Sequence, residues 1–225
     1  VQLVNIEQLH IGEYDYDDAI IEATSRDRRP RVQVYQFPET AVVLGRGSKP
    51  ERELHIDTCL QDEVEVLRRR GGGCAVVIDP GNVIVSAVLP IDGIADNRRY
   101  FNRLSEWLAA GLKEIGITDI QHEGISDLAC GDQKVSGACI YCSKDLIYYS
   151  ATLLVESQLE LMERYLKHPP REPDYRRGRT HFDFVGRLHI SAAFDGTQRL
   201  ASELRRVLKP SYLLELAGRP ELVCT

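Results

Sequence analysis

The stretch Arg68-Arg69-Arg70-Gly71-Gly72-Gly73-Cys74-Ala75-Val76-Val77-Ile78-Asp79-Pro80-Gly81-Asn82-Val83-Ile84-Val85-Ser86-Ala87-Val88-Leu89 carries two apolar, β-branched runs, separated by turn residues and preceded by three consecutive glycines. Runs of this length and composition read as strands, and Asp79-Pro80-Gly81-Asn82 between them predicts a hairpin. Three glycines in a row are costly to order, because each surrenders a wide range of backbone conformations. They suit a backbone that must approach a ligand closely and aim successive amides at it; the alternative is a flexible surface turn with a charged flank. A phosphate-binding GxxxxGK[ST] loop does not fit, since Lys and Ser/Thr do not follow at the needed spacing.

Working outward, the runs VQLVNI, RVQVYQF and AVVLG also have strand length, with a helix expected from about Tyr16 to Ser25. Downstream, Phe101, Leu104, Leu108, Leu112 and Ile115 recur at three and four residues, which predicts a helix over Asn97 to Gly116, capped by Asn97 and ended by Gly116. DIQHEG, DLAC, KVSGACIYC and LIYYSATLLVE read as a second group of strands, followed by a short helix over Ser157 to Leu166. The segment His168 to Arg179, broken by Pro169, Pro170 and Pro173, is expected to be a loop that is mobile or folded over a ligand. A final amphipathic helix spans about Thr197 to Leu208. Strands without regular strand-helix-strand alternation predict an α+β fold, a mixed or antiparallel β-sheet flanked by helices.

The 225 residues suit one domain over 1–225, with a composition of 43% hydrophobic and 28% charged residues that is ordinary for a globular chain. A formal charge of −6 gives no polyanion footprint, so nucleic acid is not an expected partner. No apolar run is long enough to span a bilayer and no export signal opens the chain, so a soluble, cytoplasmic protein without a membrane partner is expected. Of the six cysteines, Cys139 and Cys142 form a lone CxxC inside a strand-like run, where burial is favoured over metal, redox or reactive-thiol use.

A second unusual segment is Gly131-Asp132-Gln133-Lys134-Val135-Ser136-Gly137. Lys134 reads either as a solvent-facing strand residue or, with glycines relieving crowding on each side, as an ammonium directed into a cleft, where it would stabilise developing negative charge.

In this order and spacing, AVVLGRGSKPERE, the RRRGGGCAVVIDPGN segment, ISDLACGDQKVSGACIY and LIYYSATLLV resemble the lipoate-protein ligase A family, within the biotin/lipoate ligase and octanoyltransferase superfamily. The resemblance implies the biotin/lipoate protein ligase catalytic-domain fold, which is like that of class II aminoacyl-tRNA synthetases, without the separate C-terminal accessory domain of many ligases. It implies an enzyme that uses ATP and Mg²⁺ to convert lipoate or octanoate to an acyl-adenylate. The acyl group then passes to a lysine of a small lipoyl-domain, H-protein-like or other lipoate-binding acceptor protein, with a separate accessory chain as a possible partner. Carried over position by position, Lys134 is the catalytic lysine, and Arg46, Arg69, Arg70, Gly71, Gly72, Gly73, Asp79, Asn82, Ser136, Gly137, Ala138, Ser150, Ala151 and Thr152 border the acyl-adenylate. Asp127 stands beside the magnesium. The strands CAVVI and VIVSAVL are expected to line an acyl tunnel.

The chain departs from the family where HHGT is replaced by Tyr148-Tyr149-Ser150-Ala151-Thr152, and where Asn-Asp-Leu becomes Ser126-Asp127-Leu128. Two alternatives follow: an octanoyl or lipoyl transferase working through a cysteine thioester, or a non-catalytic ligase-like subunit. The first is disfavoured because His122-Glu123-Gly124-Ile125 holds no cysteine, and Cys74, Cys139 and Cys142 are expected to be buried in strands.

Overall fold

The computed structural model describes residues 6–93, 96–190, 194 and 196–217, without the side chains of 214, 216 and 217. The expected strand at VQLVNI therefore lies outside the described residues, except for Ile6, which begins a single 3-10 turn, Ile6–Gln8. The elements run β1 (Gly12–Glu13), α1 (Asp18–Asp27), β2 (Arg31–Gln36), β3 (Ala41–Leu44), α2 (Pro50–Glu53), α3 (Ile56–Gln61), β4 (Glu65–Arg68), β5 (Val76–Ile78) and β6 (Asn82–Pro90). They continue with α4 (Asn97–Glu114), β7 (Gln121–Glu123), β8 (Asp127–Cys130), β9 (Gln133–Cys142), β10 (Leu146–Leu154), α5 (Glu160–Tyr165), α6 (His181–Phe184), α7 (Gly196–Val207) and α8 (Pro210–Ala217).

The strands form two sheets rather than one. A six-stranded antiparallel sheet has the order β2-β6-β10-β9-β8-β7, and a four-stranded mixed sheet has the order β1-β4-β3-β5. In the small sheet β4 runs parallel to β1 and β3, whereas β5 is antiparallel to β3. The α+β class read from the sequence holds.

The predicted hairpin does not form. β5 pairs with β3 and β6 pairs with β2 and β10, so Asp79-Pro80-Gly81-Asn82 carries the chain from one sheet to the other. The turn is as tightly specified as its composition suggests, since the Asp79 amide donates to Asn82 Oδ1 (2.6 Å) and the Gly81 amide to Asp79 Oδ1 (2.7 Å). It is also tied to the segment after β10, because Asn82 Nδ2 donates to Ser157 Oγ (2.8 Å) and the Gln158 amide to Asp79 Oδ2 (2.8 Å). Local turn chemistry was legible; which neighbour each strand would choose depends on long-range pairing.

Period-two alternation divides the large sheet into two working faces. Val83, Val85, Ala87 and Leu89 of β6, with Ile147, Tyr149, Ala151 and Leu153 of β10, pack under Leu104, Leu108 and Leu112 of α4 and Leu200 and Leu204 of α7. Each fully buried leucine contributes roughly 1.5–3 kcal/mol relative to exposure. The helix α4 is capped by Asp96 rather than Asn97; its carboxylate accepts from the amides of Arg98 and Arg99. Gly116, at φ 88°, ends it as expected. The opposite face of β10 looks toward the small sheet, and a second core there joins Val42, Leu44, Val66 and Val77 to Leu154, Met162 and Phe184.

Candidate active site

Between the sheets lies a cavity of about 1220 Å³. Its wall combines Val43, Val76, Val77 and Ile78 of the small sheet with Asp127, Lys134, Gly137, Ala138 and Cys139 of β8 and β9 and with Tyr148, Ser150, Thr152 and Leu154 of β10. The run CAVVI therefore lines the cavity as expected. VIVSAVL does not, because β6 is covered on both sides and its residues are buried in the sheet.

Lys134 is placed by three local devices. The ladder between β8 and β9 slips at Leu128/Ala129, which re-aims the start of β9. Gly137, three residues on, has no side chain where a Cβ would lie 2.8 Å from both Cε and Nζ of Lys134. The ammonium folds into that space and meets Asp127 Oδ1 at 2.8 Å. Asp127 is buried, and its second oxygen accepts from the hydroxyl of Tyr175 at 2.9 Å. Burial, followed by the negative charge of Asp127, pushes the Tyr175 phenol well above its usual range, so it stays a donor. The cleft alternative for Lys134 is the one realised.

The glycine turn crosses from β4 to β5 and is clasped by Arg69. Its guanidinium donates to the carbonyls of Val43 (3.0 Å), Gly72 (2.7 Å through Nη2) and Cys74 (2.9 Å). Gly71 sits against β9, where a Cβ would lie 2.5 Å from Cys139 Sγ. Gly72 and Gly73 border the cavity, and among the described residues their amides donate to no protein acceptor. The remaining arginines of the motif are structural. Arg68 Nη1 holds the carbonyls of Gly45 (2.9 Å) and Ser48 (3.1 Å), while Arg70 pairs with Asp18 at 2.6 Å outside the cavity. Arg46 lies over the Tyr141 ring at 5.7 Å and does not line the cavity either.

Of the other residues expected at the site, Ser150 and Thr152 face the cavity, whereas Ala151 belongs to the core under α4 and Ser136 is buried off the wall. Asp79 and Asn82 hold the turn between the sheets and do not reach the cavity.

Several wall residues carried no signal in the motifs. The segment after α5 folds over the cavity, with Arg171, Tyr175 and Arg176 on its inner side and a 3-10 turn at Asp174–Arg176. Arg176 is 4% exposed; Nε donates to the Arg179 carbonyl (2.9 Å), its guanidinium lies 5.0 Å over the Phe184 ring, and among the described residues Nη2 has no partner. The end of this strap is fixed to β9, since Val185 bridges Lys134 and the Gly186 amide donates to the Lys134 carbonyl (2.9 Å). The loop over a ligand was an expectation of the proline pattern; its individual residues were not, because a proline break gives no direction.

A metal held by protein groups alone would need more oxygen donors than Asp127 supplies, whereas magnesium shared with substrate phosphates takes only one or two carboxylates. Both of its oxygens are engaged by Lys134 and Tyr175, and no group of three metal-ligating side chains is found among the described residues. The donor set thus does not make a protein-held magnesium site. The thiols are equally constrained. Cys139 is buried in the wall, and Cys74, contrary to expectation, lies before β5, half-buried at the cavity with its Sγ donating to the Arg171 carbonyl (3.6 Å). Burial pushes both thiols up, away from the thiolate form. Cys139 and Cys142 are free, so the CxxC is a pair of strand residues.

The lipoyl protein ligase A/B catalytic domain model matches residues 13–184. The chain belongs to that family. A lipoate-protein ligase A from Psychrobacter cryohalolentis is 33% identical over 129 residues, which is 57% of this chain and 36% of that protein. The chain spans 36 to 49% of the length of the first curated relatives it matches. Among solved structures, a chain of a bipartite lipoate protein ligase from Thermoplasma acidophilum superposes with a TM-score of 0.69 at 22% identity, covering 92% of this chain and 82% of that one. A lipoate-protein ligase A bound with ATP gives a TM-score of 0.66 at 24% identity, covering 89% and 78%. At these identities the superpositions establish the ligase-family fold. No helix among the described residues is long and apolar enough to cross a membrane.

Proposed function

We propose that this chain is the catalytic domain of an ATP-dependent lipoate-protein ligase, which activates lipoate or octanoate as the acyl-adenylate and passes it to a lysine of a lipoyl-domain or similar acceptor. The observation that carries the reading is the Lys134 ammonium, folded over Gly137 beside Asp127 in a cavity rimmed by the amides of Gly72 and Gly73. A carboxylate and the α-phosphate of ATP repel each other, and a fixed cation between them offsets that repulsion as the new bond forms. Arg176 and Arg171 line the same cavity and would neutralise phosphate. Magnesium would arrive on the phosphates of ATP, and no step is assigned to it. Asp127, freed from Lys134 as the ammonium turns toward the reactants, would hold the strap through Tyr175.

The family membership, the ligase names of the relatives and the ATP-bound relative all support this reading over a thioester route, as do the raised thiols. The bipartite relative is described with an E2 lipoyl domain, which supports a lipoyl-domain acceptor here and an accessory domain on a separate chain; a cytoplasmic setting is proposed with it. Incubation with lipoate or octanoate, ATP and magnesium is expected to release pyrophosphate and to leave acyl-AMP detectable by mass. Adding a lipoyl domain should then raise its mass by one acyl group. No pyrophosphate with either acid, with accessory chains supplied, would sink the proposal in favour of a non-catalytic subunit.

A further inference from the structure

The cations that line the cavity are not equally engaged. Arg69 is committed to three carbonyls and Lys134 to Asp127, whereas the side chains of Lys49, Arg52 and Arg171 have no partner among the described residues. Arg176 is engaged on one side only: Nε reaches the Arg179 carbonyl and, at 3.4 Å, Glu172, while Nη2 is buried without an acceptor. A buried N–H left unpaired costs free energy. Because Arg176 lines the cavity, a ligand there can supply the missing acceptor as the strap settles on it.

These four cations come to one place. The Ala75 amide donates to Glu53 Oε2 (2.6 Å), beside Arg52, and the Lys49 amide to Glu53 Oε1 (3.2 Å). The Cys74 thiol donates to the Arg171 carbonyl (3.6 Å), and the Lys167 amide ties the start of the strap to the Glu53 carbonyl (2.8 Å). Residues 49–53 and the strap therefore flank the Cys74–Ala75 junction, where the glycine turn leads into β5 of the small sheet. Arg176 and Cys74 are within electrostatic reach of each other. Glu53 and Glu172, which sit among the cations, are already occupied: Glu53 by two amides and the Ser48 hydroxyl, Glu172 by His168, the Gly178 amide and Arg176. Lys134 stands on β9 of the facing sheet, so the cavity holds two separate cationic centres.

Adenylation needs two. As an oxygen of the acid bonds to the α-phosphorus, the bond from that phosphorus to the bridging oxygen breaks, and its electron pair stays on the β-phosphate. Negative charge grows on the leaving pyrophosphate, and a fixed cation is most effective where charge develops. We infer that Lys49, Arg52, Arg171 and Arg176 form a second anion site, which takes the β- and γ-phosphates of ATP and holds inorganic pyrophosphate after the α-phosphate has passed to the acid. The inference rests on the ligase reading and divides its charge, leaving the carboxylate and α-phosphate to Lys134. The arrangement suits a narrow polyanion better than a protein surface, since carboxylates of a folded partner can meet the three exposed cations but not the buried Arg176. A product held this way slows its own departure, so pyrophosphate restrains the enzyme and favours the reverse reaction.

Calorimetric titration of the full chain with inorganic pyrophosphate, inorganic phosphate and AMP tests it. Pyrophosphate should bind at least about tenfold more tightly than phosphate, because only the longer anion spans the group. Arg52→Ala and Arg171→Ala, both at exposed positions, should each weaken pyrophosphate by at least about threefold and leave AMP within about twofold. In both variants the exchange of labelled pyrophosphate into ATP should slow, while acyl transfer from supplied acyl-AMP to a lipoyl domain stays unchanged. Arg176→Ala should weaken pyrophosphate most; if it does not fold, the two exposed variants decide. Equal binding of pyrophosphate and phosphate would overturn the inference. Slowed acyl transfer with exchange intact would overturn it too, and would assign the cations to an acidic acceptor. Pyrophosphate binding that depends on these residues, in a chain that forms no acyl-AMP, would keep the anion site and remove the ligase reading.

Discussion

At the scale of the residue, the site depends on one amine occupying the volume of a missing side chain. Gly137→Ala would place a methyl 2.8 Å from Lys134 Nζ, so the amine must leave its position beside Asp127. Adenylation measured by pyrophosphate release should fall by at least about tenfold, while the melting temperature changes by only a few degrees, because Gly137 has an ordinary strand conformation with no positive φ. Lys134→Ala should cost about 100-fold or more in the same assay. Lys134→Arg should not rescue it, since the planar fork is larger than the space above Gly137. Lys134 and Gly137 stood out in the sequence through the glycines at 131 and 137, but a solvent-facing lysine fitted that pattern equally well, and only the folded chain turns the ammonium into the cavity. Tyr175, which completes the hydrogen bonding of Asp127 from 48 residues away, did not stand out. A tyrosine in a proline-rich segment reads the same whether it points inward or outward.

Among the elements, the strap from Lys167 to Val185 is the one whose contacts suggest a motion. It is attached at its end through the Gly186 amide to Lys134 and held in the middle by Tyr175 to Asp127. Tyr175→Phe should loosen the middle while leaving the end fixed. Faster amide exchange confined to residues 168–180, with a raised KM for ATP and a kcat within a few-fold, is the expected pattern; uniform exchange across the chain would count against it. Core helices respond differently. A Cβ at Gly111 would collide with Leu208 Cδ2, so Gly111→Leu should lower stability by about 1–3 kcal/mol in denaturant titration without changing the acid affinities. The helix α4 was readable from its leucine spacing, yet its cap moved to Asp96, since either of two adjacent polar residues satisfies the cap rule. Short elements such as α2, α3 and β4 escaped the reading, because four to six residues show no period.

Over the whole molecule, His181 couples the strap to pH. It is 8% exposed, beside Arg176, with Glu163 Oε1 3.7 Å from Nδ1. Burial, reinforced by Arg176, lowers its pKa from 6.5 to about 4. The native state therefore holds the neutral ring while the unfolded chain takes up a proton. Stability from this residue is full above pH 6.5 and is lost as the pH falls from there toward about 4, where the loss levels off. Urea midpoints measured across that window should slope downward with acidity, and His181→Asn should flatten the slope. The division into two sheets was the least legible property, since Asp79-Pro80-Gly81-Asn82 specifies a turn and says nothing about which sheet the next strand enters.

The Arg69 clasp has a consequence for how charge-conserving changes behave at the glycine rim. One planar group reaches three carbonyls, of Val43, Gly72 and Cys74, and a single ammonium cannot span them. Arg69→Lys would thus preserve the electrostatics and lose the shape: the rim would become an entropic reservoir that each incoming nucleotide has to freeze anew, and affinity would fade with no contact to the ligand having been removed.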